Sequence, residues 1–194
     1  MSRPHLLDAL RDRVLLADGG LGSFIQISDL TIDGDFMGQE NCSEILTLSR
    51  PDFIRDFHTR FFAAGADMVE TNTFGGSPIT LDEFGIGDRA FEINKLSGEL
   101  AREAAESFAD GRDRWVLGSI GPGTKLPSLG HITYDQVEAA LLVQCRGLVA
   151  GGVDALLTET NQDTLYIKAA VNAAKQAVRS EERRVGKECR ALCR

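Results

Sequence analysis

The sequence predicts a parallel α/β fold of the (β/α)8 barrel type, with about the first four βα units present. Three observations predict it. The block 65–74, Gly-Ala-Asp-Met-Val-Glu-Thr-Asn-Thr-Phe, aligns without a gap on 152–161, Gly-Val-Asp-Ala-Leu-Leu-Thr-Glu-Thr-Asn. Gly65 meets Gly152, Asp67 meets Asp154, Thr71 meets Thr158 and Asn72 meets Glu159, so a βα unit is seen twice. Apolar strand-like runs alternate with helices that carry apolar residues on one face, as in a parallel sheet covered by helices. The strand starts recur about every 40–55 residues, near the length of one barrel unit with insertions. A doubly wound open sheet is the alternative. It is disfavoured because all four strand tips carry polar residues or glycine, as when strands converge on one mouth.

Val14–Ala17 reads as the first strand, running into Asp18-Gly19-Gly20-Leu21-Gly22-Ser23, a glycine-rich turn. Residues 24–50, broken by Gly34, Gly38 and Asn41, read as a long loop with little regular structure. Ser49 followed by Pro51 looks like a helix start, and Ile54, Phe57, Phe61 and Phe62 then recur at helical spacing. The second strand runs from about Asp67 to Phe74, and a short helix follows around Thr80–Phe84. Residues 88–109 form an amphipathic helix with Phe91, Ile93, Leu96, Leu100, Ala104 and Phe108 among its apolar positions. Trp115–Ile120 is the third strand, 134–150 a helix, Ala155–Thr158 the fourth strand and 163–178 an alanine-rich helix.

An eight-stranded barrel takes about 250 residues, whereas four strands fit here. No apolar strand follows Arg179, where the character changes to Arg-Ser-Glu-Glu-Arg-Arg-Val-Gly-Lys-Glu-Cys-Arg. Residues 181–194 carry a net charge of +2 within a chain of −8. A solvated charged terminus is one reading. The other is that 179–189 resemble the in-frame translation of a sequencing-adapter oligonucleotide. Residues 12–178 are then the N-terminal half of the domain, and 179–194 a non-native tail.

The chain's 194 residues can bury one good-sized core, and 43% hydrophobic and 26% charged content are ordinary for a globular protein. The charge of −8 argues against nucleic acid or an anionic membrane as partner. No apolar run approaches a membrane span, and Met1–Arg13 lack the apolar core of a secretory signal, so a cytoplasmic location is expected. Cys42, Cys145, Cys189 and Cys193 fit no disulfide framework. Cys145 falls on the apolar side of its helix as a core thiol, and Cys189-x-x-x-Cys193 has no nearby partner for a metal.

The strand tips hold the candidate chemistry. Asp18, at the entry to its glycine turn, argues against an anion there. It can point into the mouth as acceptor for a substrate ammonium, with Glu159 doing the same from across it. Two carboxylates would suit an amino-acid substrate. Equally, each could only bond loop amides. Asn72 and Thr73 sit on the second tip. Gly118-Ser119-Ile120-Gly121-Pro122-Gly123 would let backbone approach a ligand, or simply turn. His58 is expected at the surface of its helix, His5 at a mobile terminus, and His131 in a loop that could be functional. No Ser-His-Asp set, His-x-x-x-His pair or Walker loop is present.

Val14-Leu15-Leu16-Ala17-Asp18-Gly19-Gly20-Leu21-Gly22, Glu70-Thr71-Asn72-Thr73-Phe74, Gly118-Ser119-Ile120-Gly121-Pro122 and Thr158-Glu159-Thr160, in this order, resemble the homocysteine-binding domain of the homocysteine S-methyltransferase family. Gly121-Pro122-Gly123-Thr124-Lys125-Leu126-Pro127 and the long loop after the first strand look most like the N-terminal module of cobalamin-dependent methionine synthases. The resemblance covers about residues 12–178. It implies a barrel that binds homocysteine at its mouth, where zinc on three cysteine thiolates activates the substrate sulfur. The methyl group then comes from methylcobalamin, with further cobalamin- and folate-binding modules as partners. By position, the resemblance implies that Asp18 and Glu159 hold the homocysteine amino group. Asn72 and Thr73 would line the pocket, beside Gly19 of the first motif. The family's zinc cysteines follow its sixth and eighth strands, so no zinc ligand is assigned to this chain. The expectation is thus a methyltransferase as the parent protein, with this chain inactive alone. A standalone enzyme using betaine or S-methylmethionine, and a non-catalytic binding fragment, are the alternatives.

Overall fold

A computed structural model describes residues 4–185. Its centre is a three-stranded parallel sheet in the order β1-β2-β3: β1 (Met68–Glu70), β2 (Trp115–Ile120) and β3 (Ala155–Thr158). The register pairs Met68 with Trp115 and Leu117 with Ala155. Among the described residues there are eight α-helices: α1 (Leu6–Asp12), α2 (Leu21–Gln26), α3 (Leu46–Ser49), α4 (Pro51–Ala64), α5 (Pro78–Leu81), α6 (Ala90–Glu106), α7 (Tyr134–Ala150) and α8 (Thr164–Val185). No described helix is long and apolar enough to cross a membrane.

The third and fourth expected strands and the helix over 134–150 stand at their expected bounds. The first expected strand does not form as an element. It is reduced to a single parallel bridge between Ala17 and Met68. The amides of Asp67 and Met68 both donate to the Leu16 carbonyl, and Asp18 N donates to Met68 O. Among the described residues nothing pairs with its outer side, and Val14 and Leu16 are 83% and 60% exposed. The second strand stops at Glu70, because the chain turns at Thr71–Gly76 to bond with the end of β2.

The repeated aspartates perform one job twice. Asp67 accepts from Leu16 N at 2.9 Å and pairs with Arg13, while Asp154 accepts from Val116 N at 2.7 Å and pairs with Arg102. The backbone N–H of each aspartate returns a bond of 2.8 Å to the carbonyl of the same residue, Leu16 or Val116. Each carboxylate therefore fixes its strand's register against the preceding strand.

Helix starts and stops follow local chemistry. Thr133 and Gln136 form a reciprocal capping box on α7. Asp163 accepts from Leu165 N and Tyr166 N at the start of α8. Gly65, at φ 108°, ends α4 in a left-handed turn that a side chain would strain. Ser49 does not cap α4. Arg50 occupies the cap, and Ser49 Oγ donates to Asp35 O and Ile45 O. Residues 24–50 hold more structure than a bare loop: part of α2, a 3₁₀ turn at Ser43–Ile45, and α3. In α6, Phe91 is exposed, while Ile93, Leu100 and Ala104 are buried as expected. Helix α8 continues unbroken past Val178 to Val185.

One face of the sheet carries Val69 and Val116 against α4 and α6, and Ile120 and Leu156 against α7 and α8. The opposite face presents Met68, Trp115, Leu117, Ala155 and Leu157, closed at one end by Leu6 and Ala9 of α1. This alternation is the strand period of two. The long helices thus lie on a single face. Beside β3, a cavity of about 740 Å3 lies open between the inner sheet face and α8. All four β3 residues are half-buried, in contrast to the wholly buried β2.

Candidate active site

At the carboxyl ends of the strands lies a second cavity, of about 470 Å3. Asp18, Gly19, Asn72, Thr73 and Glu159 all line it, together with Glu70, Ser119, Ser43, Phe57 and Phe74. Residues from positions 18 to 159 therefore meet in one place, brought there by the parallel topology. Among the described residues, the lining includes three carboxylates and no Lys, Arg or His.

Asp18 follows the bridged segment, and its carboxylate accepts from Glu70 N at 3.1 and 3.2 Å. Burial pushes its carboxyl up to about 7; the amide bond opposes this, and the charges of Glu70 and Glu159 add to it. Glu70 faces the cavity because it alternates with Val69, which faces the helices. Burial raises the Glu70 carboxyl, and so does the charge of Glu159. Glu159, just beyond β3, accepts from Ser119 Oγ at 2.5 Å. Glu70 was not singled out in the sequence. Its signal was the two-residue period that puts it on the same sheet face as Met68.

Asn72 and Thr73 are 5% and 0% exposed. Asn72 Nδ2 donates to Ser43 O and Thr47 Oγ1, which ties the β1 loop to the 3₁₀ turn at Ser43–Ile45 and to α3. Thr73 Oγ1 donates to Ser119 O and lies 2.6 Å from Thr71 Oγ1. These groups shape the wall and hold it rigid. Behind them, Gln144 Nε2 of α7 donates to Thr73 O, and buried Glu44 accepts from Gly75 N. Of the glycine-rich segment 118–123, only Ser119 reaches the cavity. Gly121 instead abuts the other wall of the mouth, where an added Cβ would fall 2.6 Å from Phe74 O.

His58 differs from the surface position expected, and His131 lies in a loop as expected. His58 is fully buried in α4, with neither ring nitrogen partnered, and burial holds it down at about 3. His5 caps α1 by accepting from Leu7 N. His131 is exposed, and its Nδ1 accepts from Leu126 N at 3.4 Å.

Among the described residues, no group of three or more His, Cys, Asp or Glu could hold a metal ion. Cys42 and Cys145 are both buried, and burial pushes the Cys42 thiol up to about 11, far from a ready thiolate. The donors described here therefore do not fit a thiolate zinc site. Cys189 and Cys193 lie outside the described residues.

The family model described as homocysteine S-methyltransferase matches residues 15–189. Methionine synthase of Mycobacterium tuberculosis is 45% identical over 174 residues, 89% of this chain and 14% of that protein. Methionine synthase of Mycobacterium leprae is 43% identical over 181 residues, 93% of this chain and 15% of that protein. The chain thus spans only about one seventh of the length of these curated relatives. In fold it is similar to the homocysteine methyltransferase MmuM from Escherichia coli. The metallated form matches with a TM-score of 0.71 at 20% identity, over 95% of this chain and 64% of that one. The oxidized form gives 0.70 at 21%, over 95% and 63%. The strand-end cavity thus lies within a stretch matched from residue 15 to 189, and the chain belongs to the homocysteine S-methyltransferase family.

Proposed function

We propose that the protein to which this chain contributes transfers a methyl group to the sulfur of homocysteine, forming methionine, with methylcobalamin as donor. The relatives named methionine synthase support this reading over a betaine or S-methylmethionine donor. In this reading the sheet is the first part of a (β/α)8 barrel. Its support is that the long helices cover one face, whereas a doubly wound sheet carries them on both.

One observation carries the substrate assignment: Asp18, Glu70 and Glu159 line a single cavity that has no cationic side chain. A site of that kind favours an ammonium group and disfavours a phosphate. Asp18 and Glu159 receive the amino group of homocysteine. Gly19 leaves room beside it, and Asn72 and Thr73 set the wall. The sulfur then points out of this acidic end, toward parts of the protein beyond the described residues. The zinc of the family has no fitting ligands among the described residues, so no chemical step is assigned to them, and the reading expects this chain alone to be inactive.

Calorimetric titration with homocysteine, and with the thiol acid that lacks its amino group, tests the assignment. Homocysteine should bind and the deamino analogue should lose most of the affinity. Equal binding of the two would rule the acidic end out as the amino-group site. Within the same proposal, residues 12–178 belong to the homocysteine-binding domain and 179–194 are foreign to it. Source DNA that encodes 179–194 would overturn that boundary.

A further inference from the structure

Resting on the reading that Glu159 receives the substrate amino group, we propose that Ser119 is a positioning residue that fixes the direction of the Glu159 carboxylate. Its Oγ donates to Glu159 Oε1 at 2.5 Å. A hydroxyl has one proton to give, and a charge-assisted bond to a carboxylate is strongly directional. Strand geometry sets the pair up. The two-residue period that puts Trp115 and Leu117 on the inner face of β2 puts Ser119 there too, and Glu159 follows Ala155 and Leu157 in the same way. Ser119 pairs in register with Leu157, so Glu159 is its diagonal neighbour across the strands.

Ser119 is itself firmly held. It is buried, its backbone N–H donates to Thr71 Oγ1 at 3.1 Å, and its carbonyl accepts from Thr73 Oγ1 at 2.8 Å and from Gln144 Nε2 at 3.3 Å. The main chain of Glu159 is fixed on both sides. Its N–H donates to Ile120 O at 3.1 Å, and its carbonyl accepts from Asn161 Nδ2 at 2.7 Å. The freedom left to Glu159 lies in the rotatable bonds of its side chain, and the Ser119 hydroxyl restrains them. A carboxylate already aimed at the cavity loses less side-chain entropy when an ammonium arrives. Asp18 is held differently. It accepts from the backbone N–H of Glu70, which no substitution removes. The two carboxylates are therefore oriented independently, and the holder of Glu159 can be deleted alone.

Calorimetric titration of homocysteine and its deamino analogue into the 194-residue chain compares wild type, Ser119→Ala, Glu159→Gln and the double variant. Ser119→Ala should weaken homocysteine roughly three- to tenfold and leave the deamino analogue unchanged. In the Glu159→Gln background the same substitution should cost less than about twofold, because Ser119 acts through the carboxylate. Equal weakening of both ligands, an undiminished loss in the Glu159→Gln background, or no loss at all would overturn the inference and leave the amino-group assignment standing. Crystal structures of the unliganded wild type and Ser119→Ala give a readout that needs no ligand. The Glu159 carboxylate should hold one orientation in the wild type and spread over several rotamers in the variant, even if homocysteine fails to bind and the substrate assignment falls. One shared orientation in both would rule out the positioning role. Ser119→Cys, close to serine in size and a weak donor, takes the place of the alanine variant if that one does not fold.

Discussion

At the residue scale, the proposed site divides into carboxylates open to the cavity and groups that hold its wall. Asp18→Asn and Glu159→Gln should each lower homocysteine affinity by about 1.5–3 kcal/mol, roughly ten- to a hundredfold, the worth of a charge-assisted hydrogen bond. Calorimetry reads this directly. Asp18→Asn should also stabilise the fold near and above pH 7. Its carboxyl is raised from 3.8 to about 7, so the native state holds a proton that the unfolded chain has lost. That advantage fades as pH rises toward 7, and the Asn variant never loses it. His58 gives the opposite dependence. It stays neutral when buried, down to about 3, while the unfolded side chain takes up a proton below about 6.5. Stability should therefore fall below pH 6.5, by about 2 kcal/mol at pH 5 from this group alone. Denaturant melts of His58→Leu should lack that loss. The sequence made Asp18 and Glu159 legible because strand tips concentrate function. It also held the signal for His58, which sits midway between Ile54 and Phe62 at four-residue spacing and so shares their buried face.

At the element scale, helices were the more legible. The Thr133–Gln136 capping box, Pro51 and Gly65 are local instructions that need no distant partner. The strands are defined by neighbours. Trp115–Ile120, between β1 and β3, forms over its full predicted length, and so does Ala155–Thr158, which pairs with β2 alone, whereas Val14–Ala17 shrinks to a bridge. Nothing in Val-Leu-Leu-Ala itself distinguishes those outcomes. The α6–α7 contact depends on small residues: a Cβ on Gly147 would lie 2.7 Å from Phe91 O, and one on Gly151 2.4 Å from Lys95 O. Gly147→Ala should destabilise by about 1–3 kcal/mol through overpacking, despite alanine's advantage of about 1 kcal/mol in helices. A thermal melt showing stabilisation would mean that the helices can move apart at no cost.

At the scale of the molecule, the open cavity beside β3 leaves Leu156, Leu157 and the inner face of α8 partly uncovered. The chain should bind a dye such as ANS at neutral pH while keeping its native near-ultraviolet signal. Absence of dye binding would mean that this face is covered in solution. The long parallel register has a consequence of a different kind. Met68 finds its partner in Trp115, 47 positions further along. A ribosome adding about 5–20 residues per second needs roughly 2–9 seconds to deliver that partner. For that interval β1 is a finished strand with no sheet to join. A stretch open to capture by a chaperone during synthesis is therefore the one that carries Glu70, Asn72 and Thr73.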